Sequence, residues 1–180
     1  MAEQKRRQAG KPMAWSMLVR KRAIPANIRG TVVDLETTGL PQDGAEVITL
    51  GTVTGNTMQI LQRTDETNFA KIVRAELAKC PRPFYAFNKS FEEGMLGITV
   101  DGELQAEKYE KKTRAISVAR LYDPFYGSGF EVVKAWHEYG ATGRADLLGA
   151  IMDHNEADLL LETCLLIVRH AGEDEEGDVS

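Results

Sequence analysis

Cysteine is scarce in this chain, with only Cys80 and Cys164 in 180 residues. Two thiols are too few for a secreted disulfide scaffold or a four-thiolate zinc site, and both are expected as reduced core residues. Long apolar runs are also missing. Nothing approaches the roughly 18 residues of a membrane helix, which excludes a spanning segment. The N-terminus carries positive charge but no apolar stretch behind it, so a secretory leader is not expected and the location is read as cytoplasmic. Internal repeats and low-complexity linkers are absent too, and the length suits one domain with a single sizeable core. A Walker loop, a nucleotide-binding glycine fingerprint and a Ser–His–Asp order are likewise missing. Gly127-Ser128-Gly129 lacks the Lys-Ser/Thr of a phosphate loop and reads as a plain turn.

What is present is a globular composition, 43% hydrophobic and 27% charged, which separates the chain from disordered and fibrous classes. The net charge of −5 conceals an asymmetry. Residues 1–29 hold eight Lys or Arg against Glu3 alone, a balance of +7, and the remaining 151 residues balance at −12. A basic arm on an acidic body fits a polyanion or a protein partner for the arm, and a demand for cations within the body. The expected organisation is a basic, flexible arm over 1–29, a folded domain over 30–171 and an acidic tail over 172–180.

Hydrophobic patterning gives the order of elements. Thr31-Val32-Val33 enters a strand closed by Gly39-Leu40-Pro41. A second strand spans residues 46–53, and a third runs from Met58 to Gln62 after a turn at Gly55-Asn56, so the opening reads as an antiparallel three-strand meander. The spacing then predicts a helix over 68–79, a short strand over 84–87 and a helix from Phe91 to Leu96. Residues 97–114 read as a hairpin or surface excursion and Ile116 to Leu121 as a strand. Helices follow over 130–139 and around 144–152. A final helix is expected to start at Asp153, with Glu156 completing its capping box, and to stop at Gly172. Strands first, then alternating helices and strands, predict an α/β layer architecture.

Three segments carry the chemistry. Asp34 and Glu36 are two apart in a strand and therefore project from one face, where like charges resist burial unless a cation or proton neutralises them. Carboxylate oxygens are the hard ligands of magnesium and manganese. Asn88 lies in the turn after a short strand, and Glu92 falls in the first turn of the following helix, where the helix dipole favours an acid. His154 and Asp158, four apart, share a face of the last helix at the point where it becomes apolar nearly all round. Asp123 precedes Pro124 and is expected to end a strand in a turn.

In this order and spacing the segments resemble the DEDD (DnaQ-like) superfamily of 3′–5′ exonucleases, which has the RNase H-like fold. Asp34-Leu35-Glu36-Thr37-Thr38-Gly39-Leu40 is similar to the first motif, Asn88-x-x-Phe91-Glu92 to the second and His154-x-x-x-Asp158 to the third. The resemblance spans about residues 31–170. It is closest to nuclease domains of that fold whose second motif reads Asn-x-Ser-Phe-Glu. Glu92 stands where the superfamily more commonly has Asp, and His154 occupies the spacing at which other members carry Tyr.

The resemblance implies an RNase H-like fold and two-metal hydrolysis of phosphodiester bonds at single-stranded DNA or RNA ends. Asp34, Glu36, Glu92 and Asp158 would hold two Mg²⁺ or Mn²⁺ ions. His154 would accept a proton from water. Thr37, Thr38 and Leu40 would contact the terminal nucleotide, with Leu40 against a base, and Asn88 would join them. Two other readings stay open. One is a nucleic-acid-binding module of this fold with weak or no turnover. The other is a structure-specific nuclease in which Asp123 replaces Glu92 as a ligand.

Overall fold

The computed structural model describes residues 17–65, 69–104 and 122–176. Two long strands dominate it. Strand β1 (Met17–Thr37) pairs antiparallel with β2 (Val47–Arg63) along nearly its whole length. Thr38 and Glu46 pair across the base of the connecting loop, and a short 3-10 turn (Pro41–Asp43) fills its tip. On its other side β1 runs parallel to β3 (Phe84–Ala86), which runs parallel to β4 (Gly102–Glu103). The result is a four-stranded mixed sheet in the order β2-β1-β3-β4.

Four helices accompany the sheet among the described residues: α1 (Phe69–Leu77), α2 (Lys89–Leu96), α3 (Gly129–Thr142) and α4 (Ala145–Glu176). Alternation along β1 divides the core between two faces. Val33 and Leu35 pack with Phe69, Val73 and Leu77 of α1 and Leu96 of α2. Val32, from the opposite face, shares a cluster with Met152, Leu159, Leu165 and Leu166 of α4. A third cluster joins Ile48 of β2 to Val132 and Ala135 of α3 and Ile151 of α4. This is an α/β protein with helices on both faces of its sheet.

Several expectations change. The three-strand meander is a two-stranded ribbon, because β2 passes straight through Gly55-Asn56. The turn-like signal there marks a bulge instead. Ala23 faces Thr57 and Ile28 faces Gly55, so residues 24–27 of β1 loop out against Asn56 alone. Ile24 and Ile28 are buried by that excursion, which apolar burial favours over an unbroken ladder.

Residues 17–29, expected within a flexible arm, are the first half of β1, while residues 1–16 and the strand expected over 116–121 lie outside the described residues. The two expected C-terminal helices are one. α4 begins at Ala145, places Asp153 inside a helix rather than at its cap, and continues past Gly172 to Glu176.

Arg20 and Arg22 explain part of this. Arg20 Nη1 stands 2.7 Å from Asp153 and 2.9 Å from Glu156, and Arg22 Nη2 lies 2.7 Å from Glu156. The basic stretch of β1 is thereby tied to the acidic side of α4. Cys80 is half-buried and Cys164 is exposed on α4, so Cys164 is not the core residue expected of it. No helix among the described residues is long and apolar enough to cross a membrane.

Candidate metal centre

Close packing of α4 against the ribbon builds the site. Gly51 lies opposite Asp34 in the β1–β2 register. A Cβ at Gly51 would stand 2.2 Å from Asn155 Oδ1 and 2.5 Å from Leu159 Cδ1, so only glycine lets the helix approach this closely. At that approach Asn155 Nδ2 donates to Asp34 Oδ2 at 2.7 Å. His154 comes down beside Glu36, and Asp158 follows one turn later.

His154 is buried, and its two nitrogens have different neighbours. Nδ1 is 2.8 Å from Asp123 Oδ1. Asp123 also accepts from the backbone N–H groups of Phe125 and Gly127, so it opens the turn expected after it, the strand before it lying outside the described residues, and it orients a histidine as well. Burial works against its charge, but these hydrogen bonds and the imidazole outweigh it and hold the Asp123 carboxyl below its ordinary range. Asp123 is therefore an acceptor, which puts a proton on His154 Nδ1. The other nitrogen, Nε2, faces Glu36 Oε1 at 3.8 Å and Asp158 Oδ2 at 3.6 Å. Glu36, His154 and Asp158 each offer a ligand atom within 4.8 Å of the others.

Glu92 enters from α2, whose first turn is set by Asn88. The Asn88 side chain accepts from the Phe91 N–H at 3.3 Å, so this residue, expected to touch substrate, caps a helix. Glu92 is 2% exposed, and its Oε2 has no hydrogen-bond partner.

The charges of these acids are felt across the site. Burial pushes Glu92 up to about 8, with Glu103 adding repulsion. Burial, then the charges of Glu162, Glu36, Asp158 and Glu92, holds Asp34 well above the usual carboxylate range. Burial likewise lifts Glu36 to about 8, against the pull of His154. His154 itself sits above its ordinary value. Burial disfavours the imidazolium, but Glu36, Asp158 and Asp123 together outweigh it. An unpartnered buried carboxylate oxygen and a donor set of carboxylates with one imidazole fit divalent cations.

The structure thus brings Glu36, His154 and Asp158 to ligand distance of one another, with Asp34 feeling the charges of Glu36 and Asp158, whereas Glu92 joins them only through its repulsion of Asp34. Of the expected substrate contacts, Thr37 donates its hydroxyl to Gly39 O and Thr38 accepts from the Glu46 N–H, so both also brace the loop. Leu40 is 50% exposed. It lines an open, largely apolar cleft of about 400 Å³ with Leu35, Glu36, Phe91, Phe130 and Val133.

Three participants were missed by sequence reasoning: Asn155, Glu162 and the orienting role of Asp123. Glu162 had a legible signal, since positions 154, 158 and 162 repeat at four-residue spacing along one helix face.

Comparison with models of known protein families finds no match, and a search of curated proteins returns no related chain.

Proposed function

We propose that this protein is a divalent-metal-dependent nuclease with an RNase H-like fold that removes nucleotides from 3′ ends of single-stranded DNA or RNA. One observation carries the reading. Acids from β1, α2 and α4 are buried near one another, and burial raises the carboxyl groups of Asp34, Glu36 and Glu92, with repulsion from neighbouring acids adding to it. Such a cluster is unfavourable by itself and becomes favourable around cations. The mixed sheet, with its acids on a strand flanked by one antiparallel and one parallel neighbour, supports the fold assignment.

Asp34, Glu36, Glu92 and Asp158 would hold two Mg²⁺ or Mn²⁺ ions. Bound there, such ions supply Lewis-acid stabilisation of phosphoryl charge and lower the pKa of water. The chain's own residues set the rest. Asn155 fixes the carboxylate of Asp34 through its hydrogen bond. Asp123 fixes the ring of His154, so that Nε2 is the nitrogen turned toward the acids. Leu40, Phe91 and Phe130 offer apolar surface to a terminal base beside Glu36, where stacking contributes about 1–3 kcal/mol per base.

The test is incubation of the purified protein with end-labelled single-stranded DNA and RNA, with and without Mn²⁺. Stepwise shortening from the 3′ end that requires the metal is expected. Undiminished cleavage after Asp34→Ala and Asp158→Ala are combined would overturn the reading.

A further inference from the structure

Of the two nitrogens of His154, Nδ1 is committed to Asp123 and Nε2 points at two carboxylate oxygens, 3.6 and 3.8 Å away. With the Nδ1 proton given to Asp123, the neutral ring turns a lone pair toward Glu36 and Asp158. That arrangement gathers three donor atoms within 4.8 Å of one another, which a proton on Nε2 or a cation between them satisfies. Nε2 is thus the nitrogen left free to bind, with Glu36 Oε1 and Asp158 Oδ2 offered beside it. A carboxylate behind the far nitrogen is the arrangement by which proteins hold a metal-binding imidazole in the correct tautomer and raise its basicity. Ligand atoms about 2.1 Å from one ion stand roughly 3.0–3.4 Å apart, so the two gaps from Nε2 need shifts of only about half an ångström, and Glu36 and Asp158 offer oxygens within 4.8 Å of each other.

We infer that His154 Nε2 is a metal ligand, completing with Glu36 and Asp158 a mixed nitrogen–oxygen site that prefers Mn²⁺ and similar transition ions to Mg²⁺, and that Asp123 is its positioning residue. This deepens the proposed function and rests on its metal-dependent reading. The preference follows from donor chemistry: imidazole suits transition ions, whereas Mg²⁺ favours an all-oxygen shell. Glu92 Oε2, buried and without a hydrogen-bond partner, lies within electrostatic reach of Asp34, which in turn feels Glu36 and Asp158. Nε2 in this role binds an ion and does not accept the proton of water.

The experiment uses the full chain, stripped of metal and given one equivalent of Mn²⁺. Electron-spin-echo modulation of the bound ion reports whether nitrogen coordinates it. The expected result is a directly bound ¹⁴N coupling that converts to the ¹⁵N pattern when the parent protein is grown on ¹⁵N-histidine, a measurement that needs no mutation. His154→Gln should lose the coupling and bind Mn²⁺ at least tenfold more weakly, with a smaller loss for Mg²⁺. Asp123→Ala should weaken Mn²⁺ binding about 10–100-fold while the coupling persists at saturating Mn²⁺. Oxygen-only ligation in the parent overturns the inference, as does failure to bind Mn²⁺ or unchanged Mn²⁺ affinity in His154→Gln. Oxygen-only ligation alongside Mn²⁺-dependent cleavage of end-labelled DNA removes this inference and leaves the nuclease reading standing. Nitrogen ligation without cleavage of DNA or RNA does the reverse.

Discussion

Replacing Glu92 by Gln should stabilise the metal-free protein, and more so as pH rises. Glu92 is buried, and its carboxyl is pushed up to about 8 from an ordinary 4.5. An acid with a raised folded-state value keeps a proton that the unfolded chain releases, so stability falls as pH climbs from about 4.5 toward 8. Each pH unit in that window costs about 1.4 kcal/mol. At pH 7 the parent has therefore lost on the order of 3 kcal/mol through this one group, and at pH 5 less than about 1 kcal/mol. Gln has no proton to lose. Urea unfolding of parent and Glu92→Gln in EDTA, at pH 5 through 8, should show curves that converge in acid and diverge in base. A constant difference between them across the range would refute the reasoning. The same variant should lose most of any metal-dependent cleavage, whereas Glu92→Asp, which keeps the charge, should retain it.

Asp34→Ala and Asp158→Ala should each abolish metal-dependent hydrolysis while circular dichroism shows the fold intact, and metal-free Asp34→Ala should melt no lower than the parent because a repelling acid is gone. Gly51→Ala should cost about 1–3 kcal/mol and loosen Asn155 from Asp34, since its Cβ would meet Asn155 Oδ1 at 2.2 Å. Thermal melting together with Mn²⁺ titration reads both effects. Arg20→Ala combined with Arg22→Ala should change stability by about 1 kcal/mol or less per ion pair lost, because these pairs are partly exposed. If the arginines also meet substrate, the log–log salt slope for single-stranded DNA should fall by about 0.7 for each phosphate contact removed, and an unchanged slope confines them to the α4 contact.

Local chemistry was legible in this sequence to the extent that neighbours along the chain decide it. Asp34 and Glu36 share a strand, Asn88 and Glu92 a turn and helix start, and His154 and Asp158 a helix face, all readable from period and spacing. Long-range packing was not. Asp153 with Glu156 has the form of a capping box, yet both face Arg20 across the fold, and the apolar run on either side carries the helix straight through. Gly55-Asn56 has the form of a turn, but the extra residues that relieve the ribbon lie on the opposite strand. Asp123 and His154 are 31 positions apart, and no local pattern joins them. Nothing in the spacing of Gly51 discloses that a helix will rest on it.

The acids of the site come from three segments, positions 34–36, 92 and 158–162, so in the unfolded chain the charges of one segment lie far from those of the others and hardly interact with them. Repulsion between the acids of β1 and those of α4 arises as α4 settles onto the ribbon, and it acts on whichever step of folding brings that helix home. Ions that bind the finished site cannot help before it exists. Ions bound as proposed would act afterwards, by slowing its reopening. Under the proposed metal binding, a divalent cation held between α4 and β1 would act on that seam as a kinetic latch, with its effect on the rate of opening rather than of closing.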